Sequence, residues 1–109
     1  MHWGEIYRTR EKVSERGHKP GFYVVVSRDF VAQNDDISTV VCAPVYTRRD
    51  GFATQVNVGP ENGLKHESSI LCDALVSISK SGLTDYLSSL PPERTEELDE
   101  ALRVALALA

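Results

Sequence analysis

The sequence predicts a mainly β fold: a small, curled antiparallel barrel of roughly five to seven strands with one helix at its C-terminal end. Two observations carry this. Short apolar runs rich in Val, Ile, Thr and Tyr recur along residues 3–90, each bounded by Gly, Pro, Asn or Asp. Only near the C-terminus does the apolar spacing change to steps of three and four, the period of a helix packed on one face. A chain of 109 residues, 41% hydrophobic and 26% charged, is a single domain (1–109) with one core.

Residues 3–9 alternate loosely and read as the first strand. Residues 10–19 are charged and aperiodic, a long loop by the standards of small domains, and loops of that kind are usually functional or mobile. Residues 20–28 hold three consecutive valines, Val24 to Val26, and read as a strand buried on both faces. His18 and Lys19 stand at its mouth, which suits a phosphate site on a rigid sheet or simply a basic surface loop.

Asp29 to Gln33 can form one helical turn, stopped by Asn34-Asp35-Asp36. Residues 37–47 form the next strand, where Pro44 implies an edge or a bulge. Asp50-Gly51 turns the chain, and residues 53–58 return as its hairpin partner. Gly59 to Gly63 is a turn, and residues 68–79 read as one long strand. Asp73 is the exception in it, because a carboxylate among core residues must face a polar pocket, a cation or solvent. Lys80-Ser81-Gly82 ends the run and residues 83–90 make a short final strand. Pro92 suits the first position of the helix, with Glu93, Glu96 and Glu97 at its positive end. Leu98, Ala101, Leu102, Ala105, Leu106 and Leu108 form its apolar stripe, for the core or for a dimer partner.

Net charge is −4, but it is unevenly spread. The N-terminal half holds Arg8, Arg10, Lys12, Arg16, Lys19, Arg28, Arg48 and Arg49, while the C-terminal half is acidic. An acidic carrier with a local basic groove binds phosphates weakly and with strong salt dependence. Cys42 and Cys72 lie inside apolar runs, so buried free thiols are expected rather than a metal site or a disulfide. No run approaches the roughly 18 apolar residues of a membrane span. The N-terminus carries no secretory pattern, so a cytoplasmic location is expected.

Several short segments, in order, resemble one family. Trp3-Gly4-Glu5-Ile6-Tyr7 is similar to the "GEIW" opening of the MazF/PemK toxins of type II toxin–antitoxin modules. Gly17-His18-Lys19-Pro20 with Val24-Val25-Val26-Ser27 resembles their "G-x-R-P-x-x-V-x-S" segment. Ala43-Pro44-Val45-Tyr46-Thr47 resembles "VPVTS", and Ile70-Leu71-Cys72-Asp73 resembles the "V-x-C-D" strand of the PemK branch. The resemblance covers nearly the whole chain and implies the small CcdB/MazF/PemK-like barrel.

It also implies a homodimeric mRNA interferase that cleaves single-stranded RNA without a metal or other cofactor and is restrained by a cognate antitoxin. Attack of a ribose 2′-OH on the adjacent phosphate needs a base, an acid and a cation at phosphorus. By resemblance, Lys19 stands for the arginine that stabilises the phosphorane, Thr47 for the threonine that hydrogen-bonds the scissile phosphate, and Asp73 for the strand aspartate proposed as base. Glu15 is a candidate for the loop glutamate of some members. His18 is of a side-chain type suited to acid–base work. Leu71 replaces a PemK-branch arginine, whose function would fall to Arg48, Arg49 or Arg28, and Ala74 replaces the glutamine that usually follows the acid. Arg16, Arg28, Arg48 and Arg49 are the candidate RNA-binding cations. The alternative on the same fold is a non-catalytic, CcdB-like gyrase poison or antitoxin-binding protein.

Overall fold

The computed structural model describes residues 1–10 and 21–108. Seven strands form one antiparallel sheet among them: β1 (Glu5–Arg8), β2 (Phe22–Val25), β3 (Thr39–Tyr46), β4 (Gln55–Val58), β5 (Ser68–Leu71), β6 (Val76–Ser79) and β7 (Asp85–Ser89). Their order is β4-β5-β3-β2-β1-β7, with β6 also paired to β3. Helix α1 (Asp29–Ala32) is a single turn and α2 (Pro92–Ala105) is the C-terminal helix.

Strand β2 is the centre of this arrangement and is buried on both faces, as its apolar run predicts. Val24 points to one cluster with Ile6, Ala43, Val56, Ile70, Leu98 and Leu102. Tyr23 and Val25 point to the other, with Val40, Cys42, Ile78 and Leu83. The period of two along the strand divides its side chains between the two clusters. Helix α2 covers the first cluster by burying Leu98, Ala101 and Leu102, and truncating a fully buried leucine such as Leu98 to alanine costs about 2–5 kcal/mol. It begins where the prolines place it: Pro91 caps it in an extended conformation, and the Arg94 N–H donates to the Pro91 carbonyl at 3.0 Å.

Pro44 lies in a central strand, not at an edge, because it falls at a change of partner. On one side of β3, Thr39 to Cys42 pair with β6, whereas Val45 and Tyr46 pair with β5. On the other side Pro44 is opposite Tyr23. The Val26 N–H donates to the Val41 carbonyl at 2.9 Å, so pairs in that ladder alternate and Tyr23–Pro44 is a non-hydrogen-bonded one. The ring nitrogen, which has no hydrogen to donate, therefore faces the junction between β6 and β5.

The structure corrects the sequence reading in four further places. The first strand starts only at Glu5, because Gly4, at φ +84°, makes a turn in which the Glu5 N–H donates to the His2 carbonyl. Residues 53–58 do not pair back on the preceding strand; β4 pairs with β5, which takes the place beside β3. The long strand expected over 68–79 is two strands broken by a tight helical turn at Cys72–Ala74, which puts Asp73 at the exposed break. The helical stripe stops short: Leu106 and Leu108 are exposed and line, with Trp3, Val26, Val41 and Leu75, an apolar groove beside α2.

Both cysteines are free and buried, as expected. Burial pushes the Cys42 thiol up to about 12 and the Cys72 thiol up to about 11, the latter helped by the nearby Asp73 charge. No helix among the described residues is long and apolar enough to cross a membrane.

Candidate active site

One line of residues runs across the sheet. Arg8 of β1 is opposite Phe22 of β2, Phe22 is opposite Val45 of β3, and Val45 is opposite Ile70 of β5. Thr47 lies two residues beyond Val45 and Ser68 two before Ile70, so the pleat carries both toward the same face. These side chains border a pocket of about 210 Å³ lined by Arg8, Phe22, Val45, Thr47, Leu64, Lys65, His66 and Ser68. Apolar groups form its floor, and Thr47, Arg8, Lys65 and His66 are exposed at its rim. Its described lining holds no carboxylate, so the surface suits an anion.

Thr9 and Gly21 bring the chain to this pocket. The Thr9 N–H donates to the Gly21 carbonyl at 2.9 Å, and the Gly21 N–H donates to the buried Thr9 hydroxyl oxygen at 3.0 Å. The two flank Arg8 and Phe22, so these bonds tie the end of β1 to the start of β2 beside the pocket. Lys19, His18, Glu15 and Arg16 lie outside the described residues.

Asp73 is not on the Thr47 pocket. It lines a second pocket, of about 130 Å³, with Arg48, Phe52, Thr54, Gln55, Leu71 and Ala74. Its carboxylate accepts a hydrogen bond of 2.6 Å from the Thr54 hydroxyl. The break in the strand at Cys72 turns the carboxylate toward the β3–β4 connection and away from the Phe22–Val45 row. Thr47 and Arg48, adjacent in sequence, thus serve different pockets.

The three described arginines expected to hold RNA have different surroundings. Arg48 lines the Asp73 pocket and its Nε is 2.7 Å from Asp50. Hydrogen bonds from Gln55, and then from Arg48, hold the Asp50 carboxyl below its ordinary range. Arg49 acts as a staple: it donates to the carbonyls of Ser68 (3.1 Å) and Val58 (2.9 Å) and lies 3.6 Å from Glu67. It ties the end of β3 to β4 and β5. Arg28 sits over the Phe30 ring at 5.3 Å and lines neither pocket.

Sequence reasoning missed Lys65, His66 and the part played by Arg8. A signal existed for the first two, since Lys65-His66 is a basic pair in an otherwise acidic half. Among the described residues no group of three or more His, Cys, Asp or Glu side chains could hold a metal ion.

Comparison with known proteins agrees with the fold. Residues 3–106 match the family described as PemK-like, MazF-like toxin of type II toxin-antitoxin system. The chain is 27% identical over 86 residues to Endoribonuclease EndoA of Bacillus subtilis (strain 168), covering 78% of this chain and 74% of that protein. Among solved structures, an endoribonuclease in complex with its cognate antitoxin from mycobacterial species superposes with a TM-score of 0.84 at 25% identity, over 100% of this chain and 97% of that one. The Mycobacterium tuberculosis toxin MazF-mt6 gives a TM-score of 0.83 at 26% identity, over 96% of this chain and 98% of that one. With a match that spans nearly every residue and a sheet and helix that superpose on these toxins, the chain belongs to the PemK-like, MazF-like toxin family of type II toxin–antitoxin systems.

Proposed function

We propose that this chain is a MazF-like toxin endoribonuclease that cuts single-stranded RNA in the cytoplasm, without a metal, as a homodimer, and that a cognate antitoxin restrains it. Family membership over residues 3–106 and relatives that are endoribonucleases, one bound to its antitoxin, support this reading. The observation that carries it is the Thr47 pocket, a hydroxyl and cations set around an apolar floor with no carboxylate in its described lining.

The chemistry follows from those groups. The scissile phosphate sits at the pocket rim, where the Thr47 hydroxyl donates to a non-bridging oxygen. The 2′-oxygen attacks phosphorus, the bond to the 5′-oxygen breaks, and the products are a 2′,3′-cyclic phosphate and a 5′-OH. Negative charge builds on the phosphorane oxygens, and cations already in place stabilise it without reorganisation. By the resemblance, Lys19 is one of those cations. Lysine supplies a point charge where the family arginine supplies a planar fork, and Arg8 restores a guanidinium to the site. The Asp73 pocket, with Phe52 and Arg48, takes a neighbouring nucleotide by stacking and charge.

The test is to incubate the purified protein with a long single-stranded RNA in excess EDTA and to identify the product ends. Cleavage giving 5′-OH ends is expected, with a dimer by sedimentation. Intact RNA together with inhibited gyrase would favour the non-catalytic reading.

A further inference from the structure

We infer that His66 accepts the 2′-OH proton in this reaction, an inference that rests on the RNA-cleaving function proposed above. The Thr47 pocket is rich in donors and poor in acceptors. Arg8 and Lys65 carry cations and the Thr47 hydroxyl is far too weak a base. The Asp73 carboxylate is in the neighbouring pocket, engaged by Thr54. His66 is the one described residue lining the Thr47 pocket whose side chain offers a ring nitrogen as a proton acceptor.

Its position is also held from both sides. Leu64 is buried in the main cluster and Ser68 is buried at the start of β5, so the exposed pair Lys65-His66 spans a short bridge between two fixed points. The Ser68 hydroxyl donates to the His66 carbonyl at 2.9 Å, which fixes the backbone from which the imidazole projects. Such anchoring is what an acid–base group on a loop needs.

The step balances as follows. A neutral imidazole nitrogen of His66 takes the 2′-hydroxyl proton as the 2′-oxygen bonds to phosphorus. The bond from phosphorus to the 5′-oxygen breaks, and that oxygen takes a proton from solvent water. The imidazolium then returns its proton to solvent. Among the described residues of the pocket lining, the charged groups beside His66 are Arg8 from β1 and Lys65 from its own loop, while Phe22, Val45 and Ser68 bring no charge. Glu67 is directed to Arg49 instead.

The experiment measures single-turnover cleavage at saturating RNA for the wild type, His66→Ala, His66→Gln and Asp73→Asn across pH 5–9. Binding of an RNA with a 2′-O-methyl group at the cut site is measured in parallel. His66→Ala and His66→Gln are expected to lose about a hundredfold or more in rate while binding RNA normally. The rise of rate with pH on the acidic side should disappear with them, and added imidazole should partly restore His66→Ala. Wild-type rates in both His66 variants, a loss due only to weaker binding and unaffected by imidazole, or disappearance of the acidic limb in Asp73→Asn alone would each overturn the assignment. If the wild type itself leaves RNA intact, the function proposed above has failed rather than the role of His66 within it.

Discussion

The Gly21 N–H donates to the Thr9 side-chain oxygen at 3.0 Å, and this bond ties the end of β1 to the start of β2 beside Arg8 and Phe22 of the Thr47 pocket. Thr9 is only 1% exposed, so water cannot readily replace its hydroxyl. Thr9→Val keeps the β-branched shape and leaves the Gly21 N–H unpaired, which should cost about 1–3 kcal/mol. Urea unfolding reads that loss. RNA cleavage measured well below the unfolding transition should fall as well, because Arg8 and Phe22 at the pocket lose a neighbouring anchor. A variant with wild-type stability and cleavage would show that the clamp is dispensable.

RNA affinity should depend on salt despite the net charge of −4, because Arg8 and Lys65 stand together at a pocket whose described lining holds no carboxylate. Each phosphate contact to a single strand contributes about −0.7 to the slope of log K against log salt. Lys65→Ala should therefore weaken binding at low salt and make the slope shallower by about that amount. A slope unchanged in Lys65→Ala would place the RNA backbone elsewhere.

The elements whose signals are local were legible in the sequence. The valine run made β2, Pro92 started α2, and Leu98, Ala101 and Leu102 gave its buried face. What was not legible depends on partners far apart in the chain. Nothing within residues 53–58 says that β5, rather than β3, is the neighbour. Pro44 implies an edge or a bulge from the sequence and the structure has neither there, because a change of partner in a central strand is a property of three strands together. Asp73 was marked as out of place in a strand, and the structure resolves this by breaking the strand there. Family resemblance pointed to Thr47, while Lys65 and His66 escaped because exposed loop residues carry no periodicity.

Alkali should destabilise the fold through its buried thiols. Below about pH 7.5 both thiols are almost wholly neutral in the folded and unfolded chain alike, so they add little pH dependence. Above it the unfolded chain releases protons that the folded chain keeps, because Cys42 and Cys72 are raised to about 12 and about 11. Tyr7, raised to about 12 by burial and by the adjacent Glu5, acts in the same direction. Stability should fall steadily as pH rises from about 9 toward 11–12, and Cys42→Ala should make that fall shallower. In the native protein at pH 8 a thiol reagent should react slowly with both cysteines. Rapid stoichiometric labelling without unfolding would contradict their burial.

The most direct measurement concerns Thr47. Single-turnover cleavage by Thr47→Val, compared with the wild type in EDTA, removes the hydroxyl at the pocket rim and preserves the branched side chain. Loss of a hydrogen bond to a charged oxygen in the transition state should slow cleavage by roughly tenfold to a hundredfold, with the unfolding transition unchanged. Cleavage of RNA by Thr47→Val at the wild-type rate, with the same product ends, would mean that the bond is broken somewhere other than this pocket.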